Sequence, residues 1–138
     1  MAVGDQGIIC STNDGGESWS VQENIEPNDF IDVYFIDANI GWISGHFGQL
    51  LHTMDGGKSW TSVKLGSDQH LKSITFLNEN TGYILGYSGS VFKTIDGGQS
   101  WVEQTNGLMP LLESMFFINE NLGWVVGRRG RTFTTRNG

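Results

Sequence analysis

The chain has 138 residues, 20 glycines, two prolines, 12% aromatic residues and a formal net charge of −7 at pH 7. That length suits one domain, and the acidic balance argues against nucleic acid and anionic membrane surfaces as partners. A single cysteine, Cys10, excludes an intrachain disulfide and a zinc cluster built from cysteines, while the absence of an 18-residue apolar run gives no expectation of membrane insertion.

In chain order, Ala2–Gly4 reads as the end of a strand, and "GIICST" (7–12) and "SWSVQE" (18–23) as two more. The stretch "NIEPND" (24–29) follows as a long loop. Further on, "DANIG" is a turn and "GWISG" (41–45) a strand. The plan is plainest from residue 71. "LKSITFLN" is a strand, "NENTG" a turn, "GYILG" a strand and "YSG" a turn. "SVFKTI" is a third strand, "DGGQ" a turn and "SWVEQ" a fourth strand. The loop "NGLMP" then leads to three last strands, "SMFFIN", "GWVVG" and "RTFTT". Short runs of aromatic and β-branched residues between Gly/Asn turns are an all-β signature.

The pattern repeats. Asp14, Asp55, Asp96 and Asn137 are each 41 residues apart, and so are Gly4, Gly45, Gly86 and Gly127. Phe35, Phe76 and Phe117 keep the same step, as do Trp42, Tyr83 and Trp124. Four antiparallel strands in about 40–45 residues is the size of one propeller blade. The expected fold is therefore an all-β, propeller-like array over residues 1–138, with about three four-stranded blades and incomplete blades at both ends. The first strand of a unit is apolar on both faces, Met115 and Phe117 on one, Phe116 and Ile118 on the other. That suits a strand sandwiched between neighbouring blades.

The segments 12–19, 53–60 and 94–101 share one design, Thr-x-Asp-Gly-Gly-x-Ser-Trp, with a truncated copy at 135–138. They resemble the Asp-box, or BNR, repeat. With "GWISG" and "GWVVG" upstream, the whole chain resembles the photosystem II stability/assembly-factor family of propellers. Turn chemistry accounts for every residue of the box. Asp14, Asp55 and Asp96 accept backbone N–H groups of the turn, the glycines permit positive φ, and Trp19, Trp60 and Trp101 bury area beneath it. A calcium loop would need several acidic ligands and a distant glutamate, which are missing here. No metal or other cofactor is expected.

A four-strand meander places the boxes on one face with "DANIG", "NENTG" and "NENLG", which are nearly identical between copies. What varies falls on the opposite face: Asp5-Gln6, His46-Phe47, Tyr87-Ser88 and Arg128-Arg129 in short turns, and Glu26, Asp29, Asp68, His70, Leu108 and Met109 in longer loops. Copies of one scaffold that differ at one rim point to a recognition surface on rigid support. Phe47, Tyr87, Leu108 and Met109 are apolar where turn chemistry does not ask for them. His46, His70 and Asp68 match no metal-ligand spacing. Arg128 and Arg129 form a basic cluster with Arg131, suited to carboxylate or phosphate. In the resembled family an arginine-lined patch on a propeller face contacts a client protein. The resemblance carries that role only to Arg128 and Arg129, since the other blades offer no matching arginines.

Sialidases and other glycosidases also carry Asp-boxes. They need arginines converging from several blades or a spaced carboxylate pair, and neither pattern is present. The resulting reading is a non-catalytic binding or assembly scaffold for a protein client. A glycosidase is the enzymatic alternative, and a glycan-binding propeller that stacks sugars on Phe47 and Tyr87 is the third. Residues 1–15 and 124–138 are equivalent, and a closed ring needs about four to eight blades. Head-to-tail homodimerisation is therefore expected, with a fragment of a longer propeller as the rival explanation. The resemblance is consistent with export to a periplasmic or extracellular location.

Overall fold

The computed structural model describes residues 1–22, 28–104 and 112–136. The strands form four antiparallel meanders in chain order. The first sheet holds β1 (Ala2–Val3), β2 (Ile9–Ser11) and β3 (Ser20–Gln22). The second holds β4 (Phe30–Phe35), β5 (Gly41–Gly45), β6 (Gln49–Thr53) and β7 (Thr61–Lys64). The third holds β8 (Leu71–Phe76), β9 (Gly82–Gly86), β10 (Val91–Thr94) and β11 (Val102–Glu103). The last holds β12 (Leu112–Phe117), β13 (Gly123–Gly127) and β14 (Arg131–Thr135). These are propeller blades, two of four strands flanked by two of three. The strands are shorter than the sequence suggests. Residues 77–78, 90, 95 and 100–101 fall outside them, because turn geometry takes over those backbone groups. No helix among the described residues is long and apolar enough to cross a membrane.

Between adjacent sheets lie three apolar layers. Ile9, Phe30, Ile43, Leu51 and Trp60 fill the first, and Trp42, Leu50, Leu71, Phe76, Ile84 and Phe92 are central to the second. Tyr83, Leu85, Val91 and Leu112 make the third, backed by Met115, Phe117 and Phe133. Side chains of a strand alternate faces. Trp42 therefore packs toward the following blade and its neighbour Ile43 toward the preceding one. Trp42 stacks on Phe76 with ring centroids 4.0 Å apart. One repeat later Tyr83 stacks on Phe117 at 4.1 Å. The same phenylalanines lie flat over the glycine opposite. A Cβ on Gly41, Gly82 or Gly123 would sit 2.7, 2.7 or 2.3 Å from the ring of Phe35, Phe76 or Phe117. Glycine there is a requirement of close approach.

The boxes differ from expectation in who bonds what. In the second blade Asp55 Oδ1 accepts the Ser59 N–H at 2.9 Å and the Thr53 hydroxyl at 2.8 Å, while Oδ2 accepts the Ser59 hydroxyl at 2.6 Å. The glycine N–H of the turn goes to threonine, with Gly57 donating to Thr53 Oγ1 at 2.9 Å. The boxes at Asp14 and Asp96 repeat this pattern.

Burial does not repeat in the same way. Trp60 is 9% exposed and Trp19 is 50% exposed. Trp60 meets the edge of Phe35 at 6.0 Å within its layer, whereas no described sheet precedes the first one to cover Trp19. The last sheet shows the converse. Met115 and Phe117 pack on the preceding blade, but Phe116 and Ile118 are 65% and 61% exposed. The expected sandwich is therefore realised on one side only.

Candidate functional site

The face opposite the boxes is assembled from two kinds of segment, the turn after the second strand of each blade and the loop that leads into the blade. One position of the repeat holds Asp5, His46, Tyr87 and Arg128, and the next holds Gln6, Phe47, Ser88 and Arg129. Backbone bonds tie turn to loop. His46 N–H donates to Asp29 O at 3.0 Å and Tyr87 N–H to His70 O at 2.8 Å. Gly48 N–H donates to Gln69 O at 2.7 Å, which couples the second blade to the third. Asp29 adds a side-chain brace, its Oδ1 accepting the Gln6 N–H at 2.8 Å. The box face is tied as well, with Gly56 and Gly97 N–H groups donating to Asn39 O and Asn80 O at 2.8 and 2.9 Å. The two sets of loops thus lie at opposite ends of the strands.

Three of these turns are strained in the same place. Gln6, Phe47 and Arg129 have φ of 57°, 56° and 60°, the left-handed region in which side chains other than Gly, Asn and Asp are uncommon. The third blade avoids it, with Tyr87-Ser88 ordinary and Gly89 at φ 87°. Phe47 is 62% exposed in spite of this backbone cost.

Four predicted residues come together. The rings of His46 and His70 meet edge to face at 4.4 Å, Phe47 and His70 at 4.8 Å, and His70 and Tyr87 at 5.9 Å. His46 Nδ1 lies 3.5 Å from Asp29 Oδ2. Phe47 and Asp68 both line a cleft of about 350 Å³. Its walls include Val63, Lys64, Leu65 and Gln49. Among the described residues, no three His, Cys, Asp or Glu side chains are grouped to hold a metal ion. Leu108 and Met109, like Glu26, lie outside the described residues.

Arg128 and Arg129 do not act as a pair. Arg128 Nε donates to Glu113 Oε1 at 2.7 Å, while Arg129 is exposed on its own strained turn. Glu113 also accepts from Lys72 Nζ at 2.6 Å, and Lys72 donates to Leu112 O at 2.7 Å. These two cations, Lys72 first, hold the Glu113 carboxyl below its usual range. Lys72 reaches over the Tyr87 ring, 4.6 Å from its centroid. Lys72 and Glu113 were not singled out from the sequence, yet they occupy equivalent positions one repeat apart. Opposite charges at one repeat position on adjacent blades are the signal that would have found them.

Asp32 is the one carboxyl among the described residues pushed upward. Burial raises it, against bonds from the Ile74 and Val33 N–H groups. It bridges β4 to β8 through the Ile74 N–H.

These features can be set beside known proteins. The family model described as "Photosynthesis system II assembly factor YCF48" matches residues 1–70 and 63–138. A solved structure described as "YCF48 bound to D1 peptide" is similar at 27% identity and TM-score 0.71, covering 80% of this chain and 37% of that one. "YCF48 from Cyanidioschyzon merolae" has the same fold at 21% identity and TM-score 0.71, covering 80% and 38%. The chain thus spans well under half the length of these structures. A search of curated proteins gives no match.

Proposed function

The chain belongs to the photosynthesis system II assembly factor YCF48 family, and on that premise we propose that it is a non-catalytic scaffold which holds a protein client on the rim opposite its boxes. The observation that carries this reading is Phe47. Its ring is mostly exposed on left-handed backbone, so neither burial nor turn preference accounts for it. Strain that the surrounding structure over-determines is a mark of binding sites, and a large rigid ring is a good anchor. His46, His70 and Tyr87 extend the anchor into a platform, and Arg128 and Arg129 supply positive charge at its far end. Asp68 stands beside Phe47, and Leu108 and Met109 belong to the proposed surface by their place in the repeat.

A relative is described as bound to a D1 peptide, and we take a peptide segment of that kind as the client. The test is titration of the chain with the D1 peptide, followed by calorimetry or fluorescence anisotropy. Phe47→Ala and Tyr87→Ala should each weaken binding by about tenfold or more, as truncated aromatic anchors do. Lys58→Gln on the box face should leave it unchanged. Loss of binding from the box-face change, with the rim variants intact, would refute the rim. Turnover of any fluorogenic glycoside would refute the non-catalytic reading. Glycan binding without turnover would favour sugar stacking on the exposed Phe47 and Tyr87 rings.

The outer faces motivate a second proposal. Phe116, Ile118 and Val126 toward the end of the described chain, and Trp19 near its start, are exposed, although hydrophobic counterparts in the middle blades, Tyr34, Ile36, Leu77, Leu85, Trp60 and Trp101, pack between sheets. We propose that two copies associate head to tail through these faces. Light scattering should give about twice the 15.2 kDa chain mass, and a stable monomer at high concentration would remove the proposal.

A further inference from the structure

We propose that the cleft beside Phe47 is a cation-reading subsite, built to take one lysine or arginine side chain of the client across the boundary of the second and third blades. The inference rests on the rim reading above and adds to it the chemistry of one contact.

Three independent observations converge there. The first is shape. A cleft of about 350 Å³ opens at Phe47, Gly48 and Gln49, with Val63, Leu65 and Asp68 among its lining residues. A cleft that offers a ring, two aliphatic residues and a carboxylate among otherwise polar lining fits a side chain with a long hydrocarbon stem and a charged head. The second is the ring. A cation over an aromatic face is stabilised by the ring quadrupole, and this chain already uses the device. Lys72 sits over Tyr87, and Lys93 lies 5.4 Å from the centroid of the Tyr83 ring. The repeat position that supplies Lys72 in the third blade is Ile31 in the second. The ring that corresponds to Tyr87 is His46, so the second blade's first strand brings no cation to the turn in which Phe47 follows His46.

The third observation is electrostatic. The rim is acidic at its first blades, with Asp5, Asp29 and Asp68, and basic at its last, with Arg128, Arg129 and Arg131. Asp29 is already engaged by the Gln6 N–H and His46, whereas Asp68 is exposed at the cleft. Lys64 lines the same cleft from the end of β7, so it places a positive charge where an incoming cation would sit. Its removal should therefore sharpen the site. The overall charge of −7 draws cationic segments toward the acidic side.

The backbone fixes this geometry. A Cβ on Gly48 would lie 1.8 Å from Ser67 O. The turn bearing Phe47 and the loop bearing Asp68 are thus held in direct contact, and ring and carboxylate are presented together.

The test uses two capped hexapeptides as probes, Gly-Pro-Leu-Arg-Leu-Gly and the same peptide with glutamate for arginine. Both are titrated into the isotopically labelled chain and followed by amide NMR shifts. The arginine peptide should move Phe47, Gly48 and Asp68, and the glutamate peptide should not. Phe47→Gly, which relieves the left-handed strain and so keeps the fold, and Asp68→Asn should each weaken the arginine peptide by about fivefold or more, in the range of single cation–π and charge contacts. Lys64→Gln should strengthen it. Equal shifts from both peptides, or arginine shifts centred on the box aspartates, would overturn the subsite. The D1 peptide run in the same experiment separates the two proposals. Rim shifts from the D1 peptide without arginine selectivity would leave the scaffold reading standing and the subsite refuted. An unmoved rim with all three peptides would refute both.

Discussion

The two ends of the strands obey different rules. On the box face, Thr53, Asp55, Ser59 and their counterparts in the other two boxes make the same bonds with lengths that agree to within 0.1 Å between copies. On the opposite rim, one repeat position carries Asp5, His46, Tyr87 and Arg128, of which His46 meets Asp29, Tyr87 lies under Lys72 and Arg128 bonds Glu113. Bonds that must close a turn are local and identical, while the side chains of the opposite turns are free to diverge because the strands beneath them are already fixed; the proposed client site takes the second class of position.

The sharpest way to break this contrast is at the box tryptophans. Trp60→Ala should cost about 3–5 kcal/mol, the usual range for a buried aromatic, read from denaturant unfolding. Trp19→Ala, at the same repeat position but half exposed, should cost well under half as much. Equal losses would show that the box contributes through its turn alone and not through the layer between blades. Gly48→Ala comes next. Its φ of 71° and the Ser67 carbonyl at 1.8 Å from any Cβ should cost about 2 kcal/mol or more. It should also displace the Phe47 turn, detectable as weaker client binding.

Acid titration tests the box face on its own. Asp55 and Asp96 are lowered to about 2, first by the hydroxyls of Ser59 and Ser100, then by the N–H groups of the same serines. Asp14 is lowered in the same way by Ser18. A depressed folded value means that this stabilisation is fully present above the ordinary carboxylate range and is lost as pH falls through the folded value. The melting temperature should therefore drop between about pH 4 and pH 2, and Asp55→Asn should flatten part of that slope. The smallest effect separates function from folding most cleanly. Phe47→Gly should raise stability by about 1 kcal/mol through relief of its left-handed backbone, while client binding falls. A variant that gains in both would show that Phe47 has no role in recognition.

Much of the architecture was legible because it is local and repeated. The 41-residue step, the turn glycines and the alternation of apolar residues each constrain a few neighbouring dihedrals, and three copies make that reading redundant. The rim was legible as a place, since the variable turns must lie opposite the boxes. Its membership was less so. The rings of His46, Phe47, His70 and Tyr87, all placed on the rim by the repeat, lie in contact with one another around His70. The Lys72–Glu113–Arg128 chain escaped notice, because Lys72 and Glu113 sit on inner strands and pair only across a blade boundary.

The sequence by itself determined the blade, the order of its strands, the box and the face on which variation collects, since all of these follow from periodicity and turn chemistry within some forty residues. Only the tertiary structure decided which rings touch, that Phe47 stands on left-handed backbone, that Arg128 is engaged while Arg129 is exposed, and that Trp19 lies half open where Trp60 is buried. The physical reason is the same in each case. These properties depend on the distance and angle between neighbouring blades, and side chains from different repeats meet there at separations that no local pattern along the chain encodes.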